Sequence, residues 1–229
     1  MKEIEQFLKN DPGNIICQSE LSKCHSRMGI IYFSKFRIKD GTNSFLAALN
    51  ILEQLTKKEP DNKNWQYELS RTYEMLGDFL HSNNDPAYAE LFYSVAVAIR
   101  KKVQGEEHPE YISGLCNLIS LYISMRRYQV AENLLKEQLT VYDKMPGKEL
   151  PGYAWCLEKL AGLYIDKGNY QDSQILLLKA VVVKKKIFGE KHPEYEAALI
   201  KLNNLYKKTG TLNSIYSDMS KAMQGNQPV

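Results

Sequence analysis

Two histidines occupy matching places in this chain of 229 residues. His108 lies in Gly105-Glu106-Glu107-His108-Pro109-Glu110-Tyr111, and His192 in Gly189-Glu190-Lys191-His192-Pro193-Glu194-Tyr195. Imidazole titrates near neutrality, so the pair invites a catalytic reading. Yet each histidine precedes a proline suited to the first turn of a helix, where a polar side chain serves the helix entry. An active site is needed once, whereas this arrangement occurs twice. No nucleophile elbow, phosphate loop or metal-binding helix motif is found elsewhere. The chain is therefore read as having no catalytic residues, no cofactor and no enzyme activity.

The cysteines, Cys17, Cys24, Cys116 and Cys156, form no Cys-x-x-Cys pair and read as small buried hydrophobes in a reducing compartment. Cys24-His25 does not suggest a metal site, because adjacent helical residues point about 100° apart and no second ligand pair is evident. The basic runs Arg100-Lys101-Lys102 and Lys184-Lys185-Lys186 each fall near a helix end. They read as solvated tails placed favourably at the negative helix terminus, the alternative being an anionic partner or membrane surface.

The elements that carry these residues repeat. At a spacing of 48, Gln18, Glu20, Leu21, Ser22 and Gly29 overlie Gln66, Glu68, Leu69, Ser70 and Gly77, and Asp11-Pro12-Gly13-Asn14 overlies Glu59-Pro60-Asp61-Asn62. Ile4-Glu5-Gln6-Phe7 overlies Leu52-Glu53-Gln54-Leu55, so the sequence starts partway through a repeat. A second period of 42 carries Leu115, Leu118, Leu121 and Tyr122 onto Leu157, Leu160, Leu163 and Tyr164, then onto Leu199, Leu202, Leu205 and Tyr206. Offsets of three, three and one place each set on one helix face. A second helix follows each, with Tyr128, Ala131, Leu134, Leu135 and Leu139 in one unit and Tyr170, Ser173, Leu176, Leu177 and Val181 in the next. Neither helix of a pair buries its stripe alone, so the pairs must stack. This pattern predicts an all-α fold, an α-solenoid of helix-turn-helix units. Trp65, four residues before Leu69, reads as core. Arg126 stands where the equivalent turns have Gly168 and Gly210. Ile215, Tyr216 and Met219, interleaved with Ser and Asp, read as a terminal repeat with one wet face.

Tyr73-Glu74-Met75-Leu76-Gly77-Asp78-Phe79-Leu80 and Leu157-Glu158-Lys159-Leu160-Ala161-Gly162-Leu163-Tyr164 resemble the tetratricopeptide (TPR) repeat. The 42-residue units with Gly-Glu-x-His-Pro-Glu-Tyr are similar to repeats of kinesin light chains and of bacterial multi-TPR proteins. The 48-residue units resemble repeats in large bacterial signalling proteins that carry a separate effector domain. The resemblance implies a right-handed α-solenoid of about five repeats in one domain spanning 1–229. Its parts are a partial repeat over 1–10, repeats over 14–58, 62–104, 108–145 and 151–188, a fifth repeat or cap over 192–223, and a tail over 224–229.

In that family the first helices line a concave groove. The resemblance places Arg71, Glu74 and Asp78 there from the second unit, Cys116 and Ser120 with adjacent Asn117 from the third, and Trp155, Glu158 and Asp166 from the fourth. The fifth contributes Ala197, Ile200, Asn204, Lys207 and Lys208. The binding set is Arg71, Glu74, Asp78, Asn117, Trp155, Glu158, Asn204 and Lys208. Trp155 is either an aromatic anchor or packed into the neighbouring repeat. Asn117 and Asn204 either bond a peptide backbone or bridge repeats. The Lys and Asn pair with which related chaperone-binding modules hold a C-terminal carboxylate is absent, since those positions are Glu74 and Asp78, or Cys116 and Ser120.

Composition limits the partners. Hydrophobic residues make up 44% and charged residues 25%, as in ordinary soluble proteins, and no apolar run approaches the roughly 18 residues of a membrane span. Met1-Lys2-Glu3-Ile4-Glu5 is no secretory signal, so a cytoplasmic location is expected. A net charge of +3, from 30 basic and 27 acidic residues, does not select nucleic acid. The expected function is a non-enzymatic interaction scaffold or adaptor that holds a peptide or helix of a partner protein in the concave groove. The alternative is a regulatory or sensor segment of a larger signalling protein whose effector domain lies elsewhere. Self-association is a third reading, through the N-terminal half-repeat with its Ile4, Phe7 and Leu8.

Overall fold

A computed structural model describes residues 2–145, 150–211 and 215–223. The described residues form helices and no strand. They are α1 (Lys2–Asn10), α2 (Ile15–Ser34), α3 (Ile38–Lys58), α4 (Lys63–Ser82), α5 (Pro86–Gln104), α6 (Pro109–Ser124), α7 (Tyr128–Lys144), α8 (Pro151–Asp166), α9 (Tyr170–Phe188), α10 (Pro193–Thr209) and α11 (Ile215–Met223). They fall into two compact units, Met1–Met125 and Arg126–Val229.

Local chemistry sets the helix starts. Asn14 accepts from the Cys17 N–H at 3.0 Å, and Asn62 from the Asn64 N–H at 3.0 Å. Asp85 and Asn169 do the same for Tyr88 and Asp172. Each side chain satisfies a backbone donor that the first helical turn leaves without a partner. Prolines at 86, 109, 151 and 193 open the helices that follow, where a missing N–H costs nothing.

Turns inside the pairs share one conformation. Phe36, Asn84, Arg126, Gly168 and Gly210 all have left-handed backbone, with φ of 57, 61, 59, 77 and 73°. The next N–H then reaches back five residues, as from Arg37 to Tyr32, Asp85 to Leu80, Asn169 to Tyr164 and Thr211 to Tyr206. This closes the first helix and aims the chain into the second. The departure at Arg126 is thus one of residue type alone, since its backbone matches its glycine equivalents. A Cβ in this region costs roughly 1–2 kcal/mol, part of which glycine returns through the freedom of the unfolded chain. Arg126→Gly is therefore expected to raise stability by up to about 1 kcal/mol, read as a higher urea midpoint with unchanged slope, and Gly168→Arg to lower it by a similar amount. A midpoint unmoved by either change would refute the assignment.

In the first unit α2 packs on α3 and α4 on α5, while α3 also meets α4 and α5 meets α6. Its core includes Phe45, Leu49, Leu52, Leu76, Phe79 and Tyr93. The Phe79 ring stands 5.9 Å from that of Phe45 and 5.4 Å from that of Phe33. α1 rests on α2, which half-covers Ile4 and Leu8 but leaves Phe7 65% exposed. Trp65 is half-buried instead of core, because its indole N–H donates to the Glu59 carboxylate at 2.7 Å and keeps the ring at the surface edge.

The second unit pairs α8 with α9, with α7 against α8 and α10 and α11 against α9. Ala161, Leu177, Leu178, Val181, Ala198, Leu202, Leu205 and Tyr206 form one cluster. Ser173, wholly buried, donates to the Ala161 carbonyl at 2.9 Å. Of the repeated apolar stripes, Leu115, Leu118, Leu121, Tyr122, Leu157, Leu160, Leu163, Leu202, Leu205 and Tyr206 are buried, and Tyr164 and Leu199 are half-buried. Asp218 anchors α11 by accepting from the Tyr206 hydroxyl at 2.6 Å and the Gln174 amide at 3.1 Å. The side chains of Ile215 and Tyr216, and the tail over 224–229, lie outside the described residues. Cys156 is buried and Cys17, Cys24 and Cys116 are half-buried.

Candidate functional site

The two histidines are helix caps. His108 Nδ1 accepts from the Glu110 N–H at 3.2 Å, and His192 Nδ1 from the Glu194 N–H at 3.2 Å. Their shared motif serves the entries of α6 and α10. Among the described residues, no group of three or more His, Cys, Asp or Glu is placed to hold a metal ion, and no helix is long and apolar enough to cross a membrane.

Ion pairs dominate the first-helix faces. In the first unit Arg100, 1% exposed, sends Nη1 and Nη2 to the two oxygens of Glu74 at 2.9 and 2.6 Å. Its Nη1 also donates to the Glu110 carbonyl at 3.0 Å, and the Asn117 amide donates to Glu74 at 3.1 Å. A guanidinium left unpaired at this depth would be costly, and the bidentate fork with a second acceptor satisfies its two terminal nitrogens, while the buried Nε has no hydrogen-bond partner. The second unit repeats the device with each residue 84 later. Lys184 lies 2.8 Å from both Glu158 and Glu194, and Lys201 bonds Glu158 at 2.6 Å. Burial alone would lower the Lys184 pKa, but hydrogen bonds to Glu158 and Glu194 outweigh it and hold the ammonium above its ordinary value. The Lys184 hydrogen bond in turn holds Glu194 below the usual carboxylate range.

Arg100 and Lys184 are therefore not solvated tails. Consecutive helical residues point about 100° apart, so the first cation of each run turns inward while Lys101, Lys102 and Lys186 stay exposed. A sequence signal for this was present. Glu74 and Glu158, Arg100 and Lys184, and Glu110 and Glu194 recur together at one offset. Midway between the two ion-paired joints, the position of Arg100 and Lys184 is held by Tyr142, 1% exposed, whose ring meets that of Tyr153 at 5.6 Å.

The remaining groove candidates divide by availability. Arg71 is exposed and only loosely paired with Glu68, at 3.8 Å. Asp78 accepts from the Tyr93 hydroxyl at 2.5 Å. Glu74, Asn117 and Glu158 are engaged in the joints just described. Trp155 is half-buried, with the Lys159 ammonium 5.4 Å from its ring centre. Asn204 is exposed, and Lys208, also exposed, sits 5.0 Å from the Tyr170 ring centre. The Lys201–Glu158 pair links α8 and α10. Helical spacing puts Trp155 on the face of Glu158, Asn204 on the face of Lys201, and Ile200 one turn before Asn204. Ile200 is 54% exposed, so this strip offers apolar surface outside the core.

Comparison with known proteins agrees with this architecture. Residues 111–185 match the Tetratricopeptide repeat family. No curated protein matches the chain by sequence. Among solved structures, BtubC (BKLC) from P. vanneervenii is 20% identical, covering 100% of this chain and 89% of its own, with a TM-score of 0.72. A Podosopora anserina protein assigned to kinesin light chains, with nearly identical TPR-like repeats, is 19% identical over 90% of this chain and 93% of its own, with a TM-score of 0.67. The apo form of RapI is 15% identical over 96% and 88%, with a TM-score of 0.57. At these identities the likeness is one of fold. With capped helix pairs and left-handed turns, the chain has a tetratricopeptide-repeat stretch over residues 111–185 and resembles the kinesin light chains in fold.

Proposed function

We propose that this protein is a non-enzymatic interaction scaffold that holds a peptide or helix of a partner protein against the first helices of its repeats. The observation that carries this reading is the accessible strip on α8 and α10. There Trp155 is half-buried and Ile200 is 54% exposed beside the exposed amide of Asn204. A large aromatic and an aliphatic side chain left outside the core, next to a group with both donors and acceptors, fit the apolar anchors and backbone contacts of peptide recognition. The tetratricopeptide stretch supports a protein-interaction role. The repeats are preformed, so little order is lost on binding.

The test is affinity capture from native lysate, comparing the unaltered protein with a Trp155→Ala, Ile200→Ser, Asn204→Ala variant shown by circular dichroism to keep its helix content. Glu74 and Glu158 are left alone because they belong to the ion-paired joints. Partners lost with the triple change are the expected outcome. Full retention of every partner would refute this placement.

A further inference from the structure

The joints between repeats are not all filled by the chain. At the α5/α6 joint the space beneath the first-helix face holds Glu74, Arg100 and Asn117, and at the α9/α10 joint Glu158, Lys184 and Lys201. The repeat spacing puts Ser26, Leu52 and Met75 at the same three places of the α3/α4 joint. None of these can form an ion pair, and Ser26 is too short to reach Leu52 as Glu74 reaches Arg100. An open pocket of about 290 Å³ lies there, lined by all three.

Its chemistry is two-sided. The floor is apolar, with Leu52 2% exposed and Met75 half-buried. The lining carries three cations, Lys23, Arg27 and Arg71, against the single carboxylate of Glu68. Lys23 is paired with Glu20 at 2.7 Å, and Arg71 is 3.8 Å from Glu68 and 55% exposed. Arg27 makes no hydrogen bond or ion pair among the described residues. The Ser26 hydroxyl donates to the Ser22 carbonyl at 3.1 Å and lies 3.5 Å from the Thr72 hydroxyl. A guanidinium with open donors is a fork for a carboxylate.

We infer that this pocket binds an acidic segment of a partner protein, with an aliphatic side chain on Leu52 and Met75 and a flanking Glu or Asp carboxylate on Arg27 and Arg71. The ligand supplies from outside the carboxylate that Glu74 supplies from within at the next joint. The volume suits one aliphatic side chain with an adjacent carboxylate, and falls at the lower edge of ligand pockets. This inference rests on the reading that partners lie along the first helices, and it names the chemistry of one subsite.

The test uses fluorescein-labelled peptides with Glu-Leu-Glu, Gln-Leu-Gln or Glu-Ser-Glu at the centre of Gly-Ser flanks, followed by anisotropy against the whole chain. Glu-Leu-Glu is expected to bind, and each of the other two to bind about tenfold more weakly or worse. Arg27→Gln with Arg71→Gln should weaken Glu-Leu-Glu by at least about tenfold. Ser26→Glu, which places the chain's own carboxylate beside these arginines, should abolish binding while leaving the thermal midpoint unchanged or higher. No binding of Glu-Leu-Glu, equal binding of Gln-Leu-Gln, or indifference to both sets of variants would overturn the inference. A partner that is lost with the Trp155, Ile200 and Asn204 changes yet binds the Ser26→Glu protein normally would end the pocket assignment and leave the broader scaffold reading standing.

Discussion

Arg100→Ala is expected to destabilise the protein by about 3 kcal/mol, lowering the thermal midpoint by roughly 10 °C for a chain of this size. Arg100 is 1% exposed and the Glu74 side chain 16% exposed, so truncation leaves a largely buried carboxylate with only the Asn117 amide for a partner. It also strips the Glu110 carbonyl of its Nη1 donor at the first turn of α6. The cost comes from the stranded charge and not from the pair as such, because two buried ions forfeit hydration that their attraction only partly returns. The double change Arg100→Met with Glu74→Leu is therefore expected to recover most of the loss. Denaturation curves of the two single variants and the double one form a cycle that isolates the coupling. Additive losses would show that the pair contributes little and that Arg100 matters only for packing.

Gly77→Leu should produce a loss of similar size from a different cause. A Cβ at Gly77 would lie 2.8 Å from Cδ1 and Cε1 of Tyr93, closer than carbon atoms approach. Tyr93 cannot yield easily, since it is 3% exposed and its hydroxyl is held by Asp78 at 2.5 Å. Overpacking of this kind costs about 1–3 kcal/mol, and the branched remainder of leucine places it at the upper end. Better helix propensity returns up to about 1 kcal/mol. Shrinking the ring partner should rescue it, so Gly77→Leu with Tyr93→Leu is expected to be more stable than Gly77→Leu alone. The check is the thermal midpoint of each, with no rescue counting against the contact.

Much of the fold follows from short-range features. Leu118 and Leu121 sit one turn apart on the same stripe as Leu115, and Asp85, His108 and His192 cap the helices that Pro86, Pro109 and Pro193 open. His108 and His192 show the strength of such reasoning, because the Pro that follows each one made a helix entry more natural than a catalytic base. Arg126 shows its limit. Residue type alone suggested a departure at that turn, whereas the backbone adopts the left-handed form of Gly168 despite the Cβ. Trp65 shows another. The stripe placed it in the core, but a single hydrogen bond to Glu59 holds it at the edge.

The candidate site was less legible. Glu74, Asn117 and Glu158 carry the residue types of a polar groove, and the tetratricopeptide resemblance implies their place on the first-helix faces. Whether such a side chain meets solvent or a buried cation depends on which residue of another helix lies opposite. Arg100 is 26 residues from Glu74 in sequence, and Lys184 is equally far from Glu158. The sequence by itself determined the helix pairs, their caps and their order, because these depend on contacts within a few residues along the chain. Only the tertiary structure decided that the Glu74–Arg100 and Glu158–Lys184 charges are consumed inside the joints while the Ser26–Leu52 joint stays open. Pairing a charge or leaving a void is a property of neighbours brought together by packing, and spacing along one helix does not specify them.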